Sequence, residues 1–207
     1  MIGRKVMLAC LLPLLQACSD SPSTIAAPPG PLGLRMGMTK EELTAAVPLA
    51  MPVPGKPYIY WAANSGPPDG PFRDYLFILA PETGLCIISA RSAPVESDLA
   101  GTQLRRHFET VQRRIDEKYG KGRRFEQFGS DAPNADLAML ELLAKKRTLY
   151  AIWNAESSPK LGGHLSRIYL TTDSADTMDS ATIGIVYFFK NAEKCDELLN
   201  ASKRHPI

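Results

Sequence analysis

The chain has 207 residues, 24 of them basic and 22 acidic, and a formal net charge of +2. Arg4 and Lys5 account for this excess, because the other residues carry 22 positive and 22 negative side chains. Nucleic-acid-binding proteins normally carry a basic excess or a basic stripe, so this balance argues against that class.

The chain begins with a short apolar run behind two positive charges. Residues 6–15 follow Arg4 and Lys5 and carry no charge. A helix of this length rises about 15 Å, roughly half the thickness of the hydrocarbon core of a membrane. The segment therefore predicts a signal peptide, residues 1–17, rather than a permanent membrane span.

The apolar run ends in Leu15, Gln16, Ala17 and Cys18, a tetrapeptide that resembles the bacterial lipobox. This resemblance implies that a diacylglycerol is attached to the Cys18 thiol and that cleavage leaves Cys18 as the first residue. The mature protein is then held to a membrane of the bacterial envelope by its acyl chains. The residue after the cysteine is Ser19. Lipoproteins that stay at the inner membrane of enteric-type bacteria typically have aspartate at this position. The expected location is therefore the outer membrane, facing the periplasm.

Residues 18–31 are rich in proline and serine and contain almost no large apolar side chain. Such a segment cannot bury enough surface to offset the entropy of ordering it, and its prolines keep it extended. It is interpreted as a tether, and residues 32–207 as a single α+β periplasmic domain.

Two cysteines remain for the folded domain, because processing removes Cys10 and the lipid blocks Cys18. Cys86 and Cys195 are expected to form a disulfide, since exported proteins fold in an oxidising compartment. Two buried thiols are the alternative.

The stretch before residue 50 carries the clearest helix signal. Thr39 and Glu42 have the spacing of a capping box, which predicts a helix from Lys40 to Val47. Residues 33–47 also resemble the opening of the BamE-like small lipoproteins that accompany the assembly of outer-membrane barrels. That resemblance implies a helix followed by an antiparallel hairpin, and no binding residue is carried over from it.

Two further helices are predicted. An apolar stripe indicates a long helix that ends at Gly120; it consists of Leu104, Phe108, Val111, Ile115 and Tyr119. A shorter helix, capped by Asn134, is expected to present Leu137, Leu140 and Leu143, with Glu141 paired to Lys145.

Six segments have the composition of strands. They begin at Tyr58, Arg73, Leu85, Thr148, His164 and Thr182. Within the third, Cys86, Ile88 and Ala90 are expected on one face, because side chains alternate along a strand. The elements predict an α+β fold in which antiparallel meanders carry helices on one face, with two helix-plus-three-strand units as one possibility. That order resembles the two-repeat build of β-lactamase inhibitory proteins in architecture only, because no residue-level repeat is present.

Four arginines lie on the polar faces of the long helix: Arg105, Arg106, Arg113 and Arg114. They could form a surface for an acidic partner or for lipid head groups. Alternatively, they belong to a solvated helix face with pairs four residues apart, such as Glu109 and Arg113.

The sequence contains no local motif of a reactive centre. The three histidines, at 107, 164 and 205, are far apart, and no phosphate loop, dinucleotide fingerprint or zinc spacing occurs. Asp173, Asp176 and Asp179 could suggest calcium, but they lack the spacing of an EF-hand, and a solvated hairpin loop is the preferred interpretation. Neither a metal nor another cofactor is expected.

Two functions are consistent with these observations. The first is a non-enzymatic, lipid-anchored module that binds another protein, either in envelope assembly or as an inhibitor of the immunity type. The second is an enzyme or small-ligand carrier that acts on cell-wall or lipid components, with its site assembled from distant loops.

Overall fold

The structure is a computed structural model, and it describes residues 30–64, 70–129 and 134–204. Its strands are β1 (Met51–Val53), β2 (Lys56–Ala63), β3 (Phe72–Ala80), β4 (Gly84–Ser92), β5 (Val95–Glu96), β6 (Arg123–Phe128), β7 (Arg147–Asn154), β8 (Leu165–Ser174) and β9 (Ser180–Phe189). Its α-helices are α1 (Lys40–Ala46), α2 (Thr102–Tyr119), α3 (Ala138–Leu143) and α4 (Ala192–Arg204). Short 3-10 helices occupy Pro31–Gly33, Ala135–Leu137 and Pro159–Leu161.

All the described strands belong to one antiparallel sheet, with the order β1-β2-β3-β4-β9-β8-β7-β6 and with β5 paired to β9. In chain order, α1 precedes β1 to β4, and α2 precedes β6 to β9. The last strands of these two series, β4 and β9, pair at the centre of the sheet. The predicted antiparallel α+β fold is confirmed, with four strands rather than three after each helix.

The first helix forms where the capping box predicts it. The Glu42 backbone N–H donates to the Thr39 hydroxyl at 3.2 Å, and the Glu42 carboxylate accepts from the Thr39 N–H at 2.9 Å. Leu43 then lies fully buried against the sheet.

The predicted long helix is also confirmed. The five apolar residues of its stripe are buried, and the helix ends at Gly120. Trp153 of β7 is fully buried beneath its C-terminal end. The indole N–H of Trp153 donates to the Asp116 carboxylate at 3.0 Å and to the Gly120 carbonyl at 2.9 Å, so the only polar atom of this side chain is bonded.

The face that α3 buries differs from the prediction. Asn134 caps a 3-10 helix through a bond from the Asp136 N–H to its side chain at 3.0 Å, and α3 begins only after that turn. Because a 3-10 turn holds three residues, it rotates the helix that follows relative to a continuous α-helix. Leu137 and Leu140 are consequently 37% and 40% exposed. The residues that α3 buries are Ala138, Met139 and Leu142.

The two faces of the sheet are covered differently. Tyr60 and Ala62 of β2 belong to the main core with the buried residues of α1, α2 and α3, and we call this side the helix face. Trp61, between them in the strand, lies on the opposite side, which we call the open face. Since α4 packs on the open face, the expectation that all helices lie on one face is wrong for α4.

A β-bulge directs Cys86 toward α4. Ile78 pairs with Ile87 but Leu79 pairs with Leu85, so Cys86 is the extra residue between them. Cys86 therefore lies on the open face, and the expectation that it shares a face with Ile88 and Ala90 is wrong. The predicted disulfide is confirmed: Cys86 is bonded to Cys195 of α4.

Candidate functional site

A continuous row of side chains crosses the open face. The row has one residue on each strand of the sheet except β5. Each residue is the register partner of the next one in the row. The row consists of Met51, Trp61, Leu76, Ser89, Val186, Tyr169, Ile152 and Arg123. At the usual spacing of neighbouring strands, it is about 34 Å long. Trp61 and Leu76 are 37% and 38% exposed, and Met51 at the edge is 56% exposed. We call this set the open-face row.

Aromatic side chains continue beside this row at the β6 end of the sheet. The rings of Phe125 and Tyr150 stack with centroids 5.2 Å apart, and Tyr150 contacts Tyr169 of the row at 5.5 Å. The Arg123 guanidinium lies 5.3 Å from the Phe125 ring. Such contacts order these large side chains relative to one another.

On the same face, α4 covers part of the central strands β3, β4 and β9. Leu198 and Cys195 of α4 pack with Ile78, Ile87 and Phe188, which lie beside the open-face row. Val186 of the row also packs against this cluster, so the open-face row joins an apolar surface on which one helix of the chain already packs.

Arg147 forms a buried polar network on the helix face. Its guanidinium is 8% exposed and pairs with Glu126 at 2.8 Å and with Glu141 at 3.2 Å. Glu126 also pairs with Arg105 at 3.2 Å. Burial acts to raise the pKa of Glu126, but the hydrogen bonds and charges of Arg105 and Arg147 outweigh it and hold that pKa below its ordinary value. The network is a structural brace between β6, β7, α2 and α3.

The predicted pairs within the helices are wrong. Glu109 pairs with Arg124 of β6 at 3.0 Å rather than with Arg113. Glu141 pairs with Arg147, whereas Lys145 pairs with Asp173. In each case a charged side chain from a strand lies closer to its partner than the residue four positions along the helix.

The structure places the four arginines of α2 in different surroundings. Arg105 is half-buried in the network with Glu126. Arg106 and Arg113 are exposed. Arg114 lines a cavity between α2 and the sheet.

That cavity lies on the helix face and has a volume of about 380 Å³. Three tyrosines from different elements line it, Tyr75 of β3, Tyr119 of α2 and Tyr187 of β9, and we call it the tyrosine pocket. Burial, followed by the nearby phenol groups of Tyr119 and Tyr75, raises the pKa of Tyr187. Burial also raises the pKa of Tyr75. The phenols of Tyr75 and Tyr187 therefore remain protonated at neutral pH and can act as hydrogen-bond donors.

The remaining predictions concern loops and the N-terminal segment. Asp176 and Asp179 lie in the turn region between β8 and β9, and Asp173 belongs to β8, so the hairpin interpretation is confirmed. No group of three or more potential metal ligands occurs in the described ranges. The signal peptide, Cys18 and the tether up to residue 29 lie outside the described residues. The 3-10 helix at Pro31–Gly33 places Pro31 in the fold rather than in the tether.

Over residues 30–64, 70–129 and 134–204, none of the helices combines the length and the apolar character needed to cross a membrane. The chain matches no protein-family model, no curated protein and no solved structure.

Proposed function

We propose that the chain is a membrane-anchored envelope lipoprotein that acts as a non-enzymatic protein-binding module, and that its partner binds to the open face. The partner is either a component of envelope assembly or an incoming protein that this one inhibits. The single observation that carries the proposal is the open-face row, which crosses the sheet without being covered by α1, α2 or α3.

The composition of this surface supports protein binding. Protein interfaces are enriched in tyrosine, tryptophan, phenylalanine and arginine. The open-face row and its neighbours supply Trp61, Tyr169, Tyr150, Phe125 and Arg123. A row of about 34 Å has the extent of a standard interface, which buries about 800 Å² on each partner.

The packing of α4 supports the same proposal. This helix lies on the open face through Ala192 and Cys195, so the sheet is already shaped to accept an apolar protein element there. A partner beside α4 would extend an existing interface rather than create one on a polar surface. Trp61 and Leu76, which are register partners in β2 and β3 and large apolar side chains of the row, are the expected energetic anchors.

The lipid anchor is tested by processing. In the native host, mature protein extracted from membranes should lack residues 1–17 and carry added acyl mass on Cys18. We expect Cys18→Ala to remain an unprocessed precursor, whereas Cys10→Ala should mature normally. Intact-mass spectrometry of both variants decides this. Normal maturation of Cys18→Ala would contradict the proposed lipidation.

The binding face is tested by site-specific photocrosslinking in intact cells of the native host. A benzoylphenylalanine at position 76, on the open face, should capture a defined protein. The same residue at position 113, exposed on α2, should not. With the captured partner purified, Leu76→Asp should weaken the complex about 30-fold or more, as expected for an interface anchor of about 2 kcal/mol.

The matched control is Leu99→Asp. Leu99 is 50% exposed, and its carbonyl accepts from the Met139 N–H at 2.9 Å, so it lies near α3 rather than on the open face. This variant should bind the partner normally. Equal crosslinking from position 113, or an undiminished complex with Leu76→Asp, would show that the open face is not the binding surface. Turnover of an envelope substrate by the purified protein would contradict the non-enzymatic assignment.

A further inference from the structure

The tyrosine pocket has the size and the walls of a ligand site. Its volume of about 380 Å³ lies within the range of about 300–1,000 Å³ that small-molecule sites occupy. Val111 and Ile115 of α2 contribute aliphatic side chains, and Tyr75 and Tyr187 contribute aromatic rings from the sheet. A ligand that fills it must therefore be largely apolar.

Basic side chains line the pocket, and the described residues of the lining include no carboxylate. Lys118 and Arg114 stand one turn apart on α2, but Arg114 is already engaged in another interaction, so Lys118 is the candidate partner for a head group. The Lys118 ammonium lies 5.0 Å from the ring of Tyr119, so it is held against a wall of the pocket. An ammonium over an apolar cavity favours a ligand with an anionic head and an apolar body.

The phenols reinforce this preference. Tyr187 is half-buried, and its raised pKa reflects burial first and then the proximity of the phenols of Tyr119 and Tyr75. A hydroxyl donor in a largely apolar pocket gains from an acceptor oxygen, which a carboxylate or phosphate supplies and a cationic or purely aliphatic ligand does not.

We propose that the tyrosine pocket binds a single-chain anionic amphiphile, meaning an alkyl chain with a carboxylate or phosphate head, with the head group at Lys118. The pocket lies on the helix face, so this site is separate from the protein-binding surface proposed for the open face. Pro31 and Leu32, near the first described residue, also line the pocket. Gly30 stands twelve residues after Cys18, a separation that spans at most about 43 Å. If Cys18 is lipidated as proposed, this separation keeps the pocket near the membrane. The pocket itself and its charge do not depend on that lipidation.

The test is photolabelling of the purified mature protein, held in phosphatidylcholine nanodiscs, with dodecanoate that carries a diazirine near its methyl end. We expect saturable adducts on peptides that contain Tyr75, Tyr119 or Tyr187. Unlabelled dodecanoate and dodecyl phosphate should compete, whereas dodecanol and dodecyltrimethylammonium should compete at least about tenfold less well. Stronger competition by the carboxylate identifies a free fatty acid as the natural source, and stronger competition by the phosphate identifies a lipid head group.

Two variants test the pocket. Lys118→Gln should weaken labelling by dodecanoate about five- to tenfold, as expected for the loss of one charged contact, and leave labelling by a diazirine dodecanol unchanged. Lys160→Gln, at an exposed lysine outside the pocket, is the matched control and should label normally. Ala90→Phe, which fills the pocket from β4, should abolish the adducts.

Three outcomes would overturn the proposal. Adducts that spread over the chain without saturation would mean that no site exists. Equal competition by dodecanol and dodecanoate would mean that the head group is not recognised. Unchanged labelling of Lys118→Gln would exclude the assigned head-group position, and this result stands even if Ala90→Phe fails to fold.

Discussion

Replacing Arg147 with methionine is expected to lower the free energy of unfolding by about 3–5 kcal/mol, because breaking a buried ion pair leaves its partners uncompensated. Arg147 is 8% exposed and contacts Glu126 at 2.8 Å and Glu141 at 3.2 Å. The methionine side chain keeps much of the apolar volume of the arginine side chain but has no hydrogen-bond donor. Urea denaturation, followed by tryptophan fluorescence and by circular dichroism, measures the change.

Lys145→Met is the control for this prediction. Lys145 pairs with Asp173 at the surface, where both side chains are more than half exposed, so the variant should change stability by less than about 1 kcal/mol. If Arg147→Met and Lys145→Met destabilise the protein equally, the buried network does not brace the fold.

The pH dependence of stability gives a second readout of the same network. Glu126 has a pKa held below its ordinary value of 4.5 in the folded protein, so its contribution is fully present above that pH. The contribution is lost as the pH falls through the folded-state pKa, because the folded state then takes up its proton. Glu126→Gln should therefore show a weaker loss of stability on acidification than the wild type. If both proteins lose stability equally as the pH is lowered, this assignment is contradicted.

Replacing both Cys86 and Cys195 with alanine is expected to lower the free energy of unfolding by about 2–5 kcal/mol. The disulfide joins residues 109 positions apart, and the chain-entropy model gives about 4.7 kcal/mol for a loop of about 100 residues. The variant loses this restriction of the unfolded state. Urea denaturation of the oxidised proteins measures the difference.

The same variant should also loosen α4. Leu198 and Ala192 hold this helix to the open face through a small apolar cluster, separate from the main core. Hydrogen exchange of the Ala192–Arg204 amides should therefore accelerate more than that of α2 amides. The single variants Cys86→Ala and Cys195→Ala serve as controls and should match the double variant under reducing conditions. If the double variant is as stable as the oxidised wild type, the disulfide does not stabilise the fold by restricting the unfolded state.

Strong local signals in the sequence predicted much of the fold. The Thr39–Glu42 box and the stripe that ends at Gly120 each determine a helix through contacts within a few residues. The strands that were missed lack such a signal. In β1 a proline stands at position 52, and β6 begins with two arginines and has no clean alternation, as suits strands at the two edges of the sheet.

The sequence predicted the wrong face for side chains where the regular periodicity of a strand or helix is interrupted. The bulge at Cys86 moves that residue to the open face, and alternation alone cannot reveal a bulge. The 3-10 turn before α3 similarly changes which leucines are buried.

The candidate sites could not be predicted from the sequence, because each is assembled by register. Leu76 and Ser89 are neighbours within the β3–β4 pair, but Val186 joins them only when β9 pairs with β4. Tyr75 and Tyr187 lie on strands from opposite ends of the folded chain, and either alone resembles an ordinary core residue. The arginines of α2 were visible in the sequence, but their surroundings depend on the strands that pack against each one.

The pairing of β4 with β9 also determines the order in which the sheet can be completed. Ser89 has Val186 as its partner, so β4 keeps an unpaired edge until nearly the whole chain has been synthesised. Contacts between residues so far apart in sequence slow folding, and an unpaired hydrophobic strand edge is a template for pairing with another chain. We therefore expect that the N-terminal half does not fold as an independent unit. A chain that stops before residue 180 would lack β9. Strand β4 would then lie at the edge of the sheet, where its unpaired backbone favours aggregation.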